Sequence, residues 1–553
     1  MSRGRVAVLA AAVVWSSALL VVDVSAGRGQ SEGRDGQNRG PAAANAPMFA
    51  PPGDCLACHN NLVGPAGEDV SIGASWRGSI MANAARDPYV LASVRREILD
   101  HPSLDAEIQD ECAACHLPAE RQAAKAAGRH ARVFRHDGGE DAAPLEAAAR
   151  DGVSCTVCHQ ISDERLGARE SFNGNFVVAA PLANGRRRAF GGFVPDRGRS
   201  RVMHSVTGFV QEQAAHVRQS ELCATCHTLV TTARGPDGAI VGSLPEQMPY
   251  QEWRHSAFDD EGRSCQSCHM PRVNGPVRVA SVLGEERPGL ARHTFLGGNA
   301  FMLRLMNRFR DELGMEATSQ ELEAAARGTV RQLEEETATI GIERAAMAGD
   351  TLELDVVVRN LAGHKFPTGY PSRRAWIHVT ATDGRGRTVF ESGRVSANGL
   401  VEGNASDAGV DAFEPHHEQI TRADQVQIYE SIMGTLAGAP TTGLLQATQY
   451  LKDNRLLPRG FDKRTAAAEI AVVGGAAADP DFTGETDRVR YRVAAAGAVS
   501  ITAELLYQPI GYRWARNLAS YDAAEPRRFV RYYDAVAAAS STVVARASSP
   551  VRP

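Results

Sequence analysis

The chain has 553 residues, a formal net charge of −5, ten cysteines and an aromatic content of only 6%. That length allows two or three domains. The near-neutral balance without a basic stripe excludes a nucleic-acid binder, and a chain this long does not suit the disulfide framework of a small secreted domain.

The N-terminus carries Arg3 and Arg5, then the apolar run VAVLAAAVVWSSALLVV, then Val24 and Ala26 in the small-residue positions of a cleavage site. This reads as a signal peptide over 1–26, cut after Ala26. It predicts an exported protein, periplasmic or extracellular in a bacterium, with no integral membrane span after cleavage. Residues 27–50 are Gly, Arg, Gln and Ala with little to bury, and read as a disordered linker.

Between 55 and 269 one spelling recurs five times: Cys55-Leu56-Ala57-Cys58-His59, Cys112-Ala113-Ala114-Cys115-His116, Cys155-Thr156-Val157-Cys158-His159, Cys223-Ala224-Thr225-Cys226-His227 and Cys265-Gln266-Ser267-Cys268-His269. The five copies use all ten cysteines. With 16 histidines in the chain, a His after every pair is no coincidence. Tetrahedral zinc would need paired CxxC motifs and no fixed His, and a thioredoxin-like redox pair is not needed five times. C-x-x-C-H is the attachment site of c-type haem: two thiols add to the porphyrin vinyl groups, and the next imidazole takes the proximal position on iron. The cofactors predicted are five covalently bound haem c. The chain available per haem is too short for five separate cores, so the haems must share one domain over 51–300 and supply the flat apolar surface that the side chains lack.

Helices are expected where caps announce them. Asp87-Pro88 opens one with Leu91, Val94 and Ile98 on a single face. Met302, Leu305, Met306, Phe309 and Leu313 mark another that Gly314 stops, and Thr318 with Glu321 forms a capping box before Leu322, Ala325, Ala326, Val330 and Leu333. Residues 301–336 therefore read as connecting helices. From 337 to 553 the period becomes two: Leu352, Leu354, Val356, Val358; Val489, Tyr491, Val493; Val499, Ile501, Ala503, Leu505, Tyr507. The fold class predicted is α+β, with a helix-and-loop multihaem domain followed by a β-sandwich-like domain with helical insertions, a hairpin turn at 383–387 and a last helix near 525–539. An internal echo, Trp76-Arg77-x-Ser79 and Trp253-Arg254-x-Ser256, suggests repeated haem modules.

Five irons need up to five distal ligands, and an open sixth position is where a substrate would bind. Candidates are His216 seven residues before Cys223, His293 ahead of a helix, His204, His364 in a Gly- and Pro-rich turn, His416 beside His417, and Met81, whose thioether would raise the potential.

The segments WRGSIMANAARDPY, ELCATCHTL, PEQMPYQEWRHSAF, SCQSCHMP, RHTF and GHKFPTGYPSRRAW together resemble the multihaem cytochromes of the cytochrome c554 type. The resemblance covers most of the mature chain, including the β-domain. It implies that the Trp-x-x-Ser-x-His/Met phrase brings a distal ligand, which Met81 matches. Phe258 stands there in the second copy, so that role is lost or has moved to a neighbour such as His255. It implies electron transfer and names no donor or acceptor; the partner expected is a redox protein, another cytochrome or a membrane quinol-oxidising complex. The alternative is a multihaem oxidoreductase acting on a small nitrogen or sulfur compound at a haem with an open distal side. Pentahaem nitrite reductases are similar in size and haem number but typically mark the catalytic haem with CxxCK, and all five motifs here end in His.

Overall fold

Some of the helices begin where a side chain satisfies their free N–H groups. In the computed structural model, which describes residues 48–134 and 151–552, the helix Pro88–Asp100 is capped by Asp87, whose carboxylate accepts from the N–H groups of Tyr89 at 2.8 Å and Val90 at 3.2 Å. The helix Ser319–Glu336 carries the reciprocal Thr318/Glu321 capping box. The expected signal peptide and residues 27–47 of the expected linker lie outside the described residues. The linker's end is corrected: Phe49 and Ala50 are buried, Phe49 against Val157, Ile161 and Phe176.

Each Cys-x-x-Cys pair falls wholly or partly in a short helix: Pro52–Leu56, Asp105–His116, Cys155–Cys158, Ser220–His227 and Cys265–His269. A helical turn puts positions i, i+3 and i+4 on one side, so both sulfurs and the following imidazole can face the same space.

The second half is a sandwich of two sheets. A seven-stranded sheet is built around Arg374–Asp383 and Ala498–Gln508, and a four-stranded sheet around Thr351–Asn360 and Thr486–Ala494. Period-two burial sets the register: Ile377 lies opposite Leu505 and Val379 opposite Ala503 in one sheet, Val356 opposite Val489 in the other. Their inward side chains form one core. The hairpin at 383–387 is held by Asp383, which accepts from the N–H groups of Arg385 and Arg387, both at 2.9 Å.

The expected borders near 300 and 336 are changes of secondary structure, not gaps in packing; the described residues form a single unit. The last helix, Ala524–Val536, leaves the sandwich and packs on Pro88–Asp100 and Ala300–Arg308 through Phe529, Tyr532 and Tyr533. Glu525 adds a two-pronged ion pair to Arg95, with both contacts at 3.0 Å. Phe529 is fully buried, so Phe529→Ala should cost about 3–5 kcal/mol. Thermal unfolding followed by circular dichroism should show a lower Tm.

Candidate cofactor-binding cavity

All ten cysteines and the five histidines that follow them line one cavity of about 1400 Å³, above the roughly 300–1,000 Å³ of a usual small-molecule pocket. The motifs meet at their sulfurs: Cys55 lies against Cys155, Cys115 against Cys226 and Cys223 against Cys265. Cys115 Sγ is 3.9 Å from the carbonyl of Cys226. Burial pushes the Cys112 thiol up, and that of Cys158 up to about 12. Neither is a poised thiolate, which speaks against a thioredoxin-like role for those two motifs; contact with a neighbouring cysteine lowers Cys55, Cys226 and Cys265 instead.

The imidazoles are oriented by backbone carbonyls. Nδ1 of His59 meets Val279 O at 2.7 Å, His159 meets Phe190 O at 2.5 Å, and His269 meets Leu296 O. Nδ1 of His293 meets Ala291 O at 3.0 Å, and that of His364 meets Lys365 O at 2.9 Å. A ring that donates from Nδ1 keeps a lone pair on Nε2, the arrangement that fixes a histidine as a metal ligand. Burial holds His116, His227 and His293 down at about 4, and it also lowers His159 and His364. They stay neutral, as metal ligands must.

Two pairs of rings face each other across the cavity. His159 and His293 have centroids 6.3 Å apart and planes within 22°; His269 and His364 have centroids 6.1 Å apart and planes within 12°. Rings in van der Waals contact would sit closer. A metal–nitrogen bond of about 2 Å on each side, plus the radius of each ring, gives about 6 Å between centroids. The donor set therefore fits a metal held between two imidazoles, with a thiol pair beside each.

The other candidates are placed differently. Met81 is on the cavity wall. The helix Arg197–Thr207 turns Val202, Met203 and Val206 to the wall and leaves His204 off that face. His216 is corrected: it is buried outside the cavity lining, its Nε2 on Ile161 O at 2.8 Å and its ring edge-on to Phe190. His255, the suggested substitute near Phe258, places Nε2 on Asp462 O at 3.1 Å and packs on Phe461, also off the wall.

His416 is corrected as well. It lies inside the sandwich half with Asp479 and Asp487 close by. Gln427 and Asn454 both donate to its Nδ1, at 2.8 and 3.1 Å. Each amide is pinned as a donor, Gln427 by Asp487 Oδ2 and Asn454 by Ile428 O. Nε2 must then carry the proton, which it gives to Asp479 at 2.9 Å, so no lone pair remains for a metal.

The echo of Trp76 and Trp253 has a structural counterpart. Trp76 Nε1 donates to Val153 O at 2.9 Å and Trp253 Nε1 to Arg263 O at 2.8 Å. Both carbonyls stand two residues before the first cysteine of a motif. The N–H of Val153 returns to Met81 O, and that of Arg263 to Phe258 O, both at 2.9 Å. Gly152 and Gly262 precede them at φ +52° and +66°, and a Cβ on Gly152 would sit 2.5 Å from Met81 O. In each copy the first cysteines of two motifs touch: Cys55 with Cys155, and Cys223 with Cys265. The sequence signal for this is Asp151-Gly152-x-Ser154-Cys155 against Glu261-Gly262-x-Ser264-Cys265.

No protein-family model matches the chain, and no curated protein matches it. A solved structure does. The crystal structure of a penta-heme cytochrome c552 from Thermochromatium tepidum aligns with 92% of this chain and 100% of its own, with a TM-score of 0.49 and 15% identity. At that score and identity the likeness assigns no family, and the functional reading rests on the cavity.

Proposed function

We propose that the protein is an exported pentahaem c-type cytochrome that passes electrons through a chain of closely packed haems. The observation that carries this reading is the convergence of all ten cysteines and their five histidines on one cavity. The cysteine pairs would hold the haems, with His59, His116, His159, His227 and His269 as proximal ligands. His293 would complete the haem of His159, and His364 that of His269. Met81 is a candidate for one of the others. Haem iron supplies one-electron chemistry; the protein sets orientation, burial and order. Contacts at sulfur link the first motif with the third, the second with the fourth, and the fourth with the fifth. Cys158 feels the charge of Cys226, which joins the third to the fourth. The attachment segments thus form one connected set, with the fourth at the branch. No described helix is long and apolar enough to cross a membrane, in keeping with a carrier that meets a redox partner such as another cytochrome or a quinol-oxidising complex.

An electron paramagnetic resonance spectrum of the oxidised protein tests the reading. All haems low-spin, with reversible one-electron steps, is the expected result. A high-spin haem that binds nitrite, hydroxylamine or sulfite and turns it over would replace the carrier by the oxidoreductase.

One observation favours that second reading enough to name it. His59, His116 and His227 have no facing imidazole of this kind among the described residues. Near the second motif the wall holds Glu246, a fully buried carboxyl that accepts from the Thr231 hydroxyl. Burial pushes it up to about 7, and its charge is felt at Cys112 and Cys115. Its ionisation puts negative charge near Cys112 and Cys115, where a haem held with His116 would be favoured in its ferric state. That haem's potential should therefore fall as pH rises through about 7, by no more than about 59 mV per pH unit for one proton per electron. Potentiometric titration on either side of that pH should show the slope, and Glu246→Gln should flatten it.

A further inference from the structure

Burying a charge costs several kcal/mol unless it is closely paired, and four charged side chains are buried together behind His364. Glu252, on the helix Pro249–Arg254 of the cysteine-rich half, and Lys365 are fully buried; Asp453 and Arg455, from the sandwich, are nearly so. Lys365 Nζ meets Asp453 Oδ2 at 2.7 Å. Arg455 meets Asp453 Oδ2 at 2.7 Å and Glu252 Oε1 at 2.9 Å. The other oxygen of Glu252 accepts from the backbone N–H of Lys365 at 3.1 Å and from the Thr368 hydroxyl at 2.5 Å. A single carboxylate from one half thus grips the loop of the other at the residues one and four places beyond His364.

The loop backbone is also tied at Gly363, whose carbonyl accepts from the Ser256 hydroxyl at 3.1 Å, and at Phe366, which pairs with Leu456 in both directions at 2.8 Å, but the ring has few anchors of its own. The imidazole's own polar contact is Nδ1 to Lys365 O, which belongs to the residue Glu252 holds. Asn360 ties the His364 carbonyl at 2.9 Å and Leu456 O at 3.0 Å, so the loop is held from beneath while the ring faces His269. The cluster's charges sum to zero, so its role is geometric.

We infer that Glu252, with Arg455, Asp453 and Lys365, is a positioning clamp that holds His364 at ligand distance, so that the sandwich half governs the ligation of the fifth haem. This rests on the reading of His364 as the axial partner of His269. Removing an outer contact of a metal-binding histidine typically weakens the metal bond about 10- to 100-fold.

The test uses the full-length holoprotein with its haem count verified, and reads the spin state of the oxidised form and carbon monoxide bound per reduced protein. His364→Ala should yield one high-spin haem and one carbon monoxide. Glu252→Gln should yield part of the same signal, with the ligand-off population raised about 10- to 100-fold. Thr368→Val, which removes a single hydrogen bond, should shift the same haem by less. Glu469→Gln, which breaks an ion pair to the exposed Arg169 of the other half, should behave as wild type. If Glu252→Gln does not accumulate, Thr368→Val decides. Glu252 and Thr368 variants that bind no carbon monoxide beyond wild type, while His364→Ala binds one, would overturn the clamp alone. A His364→Ala variant with every haem still low-spin would overturn the clamp together with the ligand assignment beneath it.

Discussion

Replacing Cys155 and Cys158 together by Ala should remove one haem and most of the stability of the fold. The two thiols sit on the helix whose Val157 lies in the core with Phe49, Ile161 and Phe176, and Cys155 touches Cys55 of the first motif. One fifth of the 1400 Å³ cavity is about 280 Å³. At about 24 cal/mol per Å³ of unfilled volume, that costs about 7 kcal/mol, as large as the whole stability of many domains, about 5–15 kcal/mol. The double variant should be exported and then degraded, with the surviving fraction carrying four haems. A haem-to-protein ratio, a haem-stained gel and thermal unfolding check this. A variant that accumulates at the wild-type level with five haems and an unchanged Tm would show that these cysteines hold nothing.

The second large effect separates two histidines that the sequence treats alike. His293→Ala should turn one haem high-spin and let the reduced protein bind one carbon monoxide, because the ring that faces His159 is gone. His216→Ala should leave every haem low-spin. It should instead lower stability by about 1–3 kcal/mol, the cost of leaving a buried acceptor unpaired, since Ile161 O loses its partner. Equal optical spectra with unequal melting temperatures for wild type and His216→Ala is the expected pattern. A high-spin haem in His216→Ala, or none in His293→Ala, would reverse the assignment.

The ten cysteines and the five histidines after them were legible as candidates for one site because the motif is local, five consecutive residues carrying two thiols and an imidazole, and the structure brings all five copies to one cavity. The helices at 88 and 319 were legible for the same reason, through Asp87 and the Thr318/Glu321 box. The α+β division followed from the change of period near 337. Which imidazole faces which was not legible, because His159 with His293, and His269 with His364, meet only through the tertiary fold. His216 shows the limit of arguing from proximity in sequence. Its place before Cys223 suggested a ligand, but the chain turns its Nε2 to a backbone carbonyl. His416 shows another limit: its two amide neighbours, 11 and 38 residues further along the chain, border two different strands and settle its tautomer. The tie between the last helix and Pro88–Asp100 is likewise invisible until residues some 430 positions apart, such as Arg95 and Glu525, are seen together.

The measurement that tests the central claim most directly is the intact mass of the purified protein under denaturing conditions, with and without chemical cleavage of thioether-bound haem. Covalent attachment at all five motifs predicts a mass above that of the processed polypeptide by five haem groups, all lost on cleavage. A mass equal to the bare polypeptide, or a loss of zinc with no haem, would contradict it.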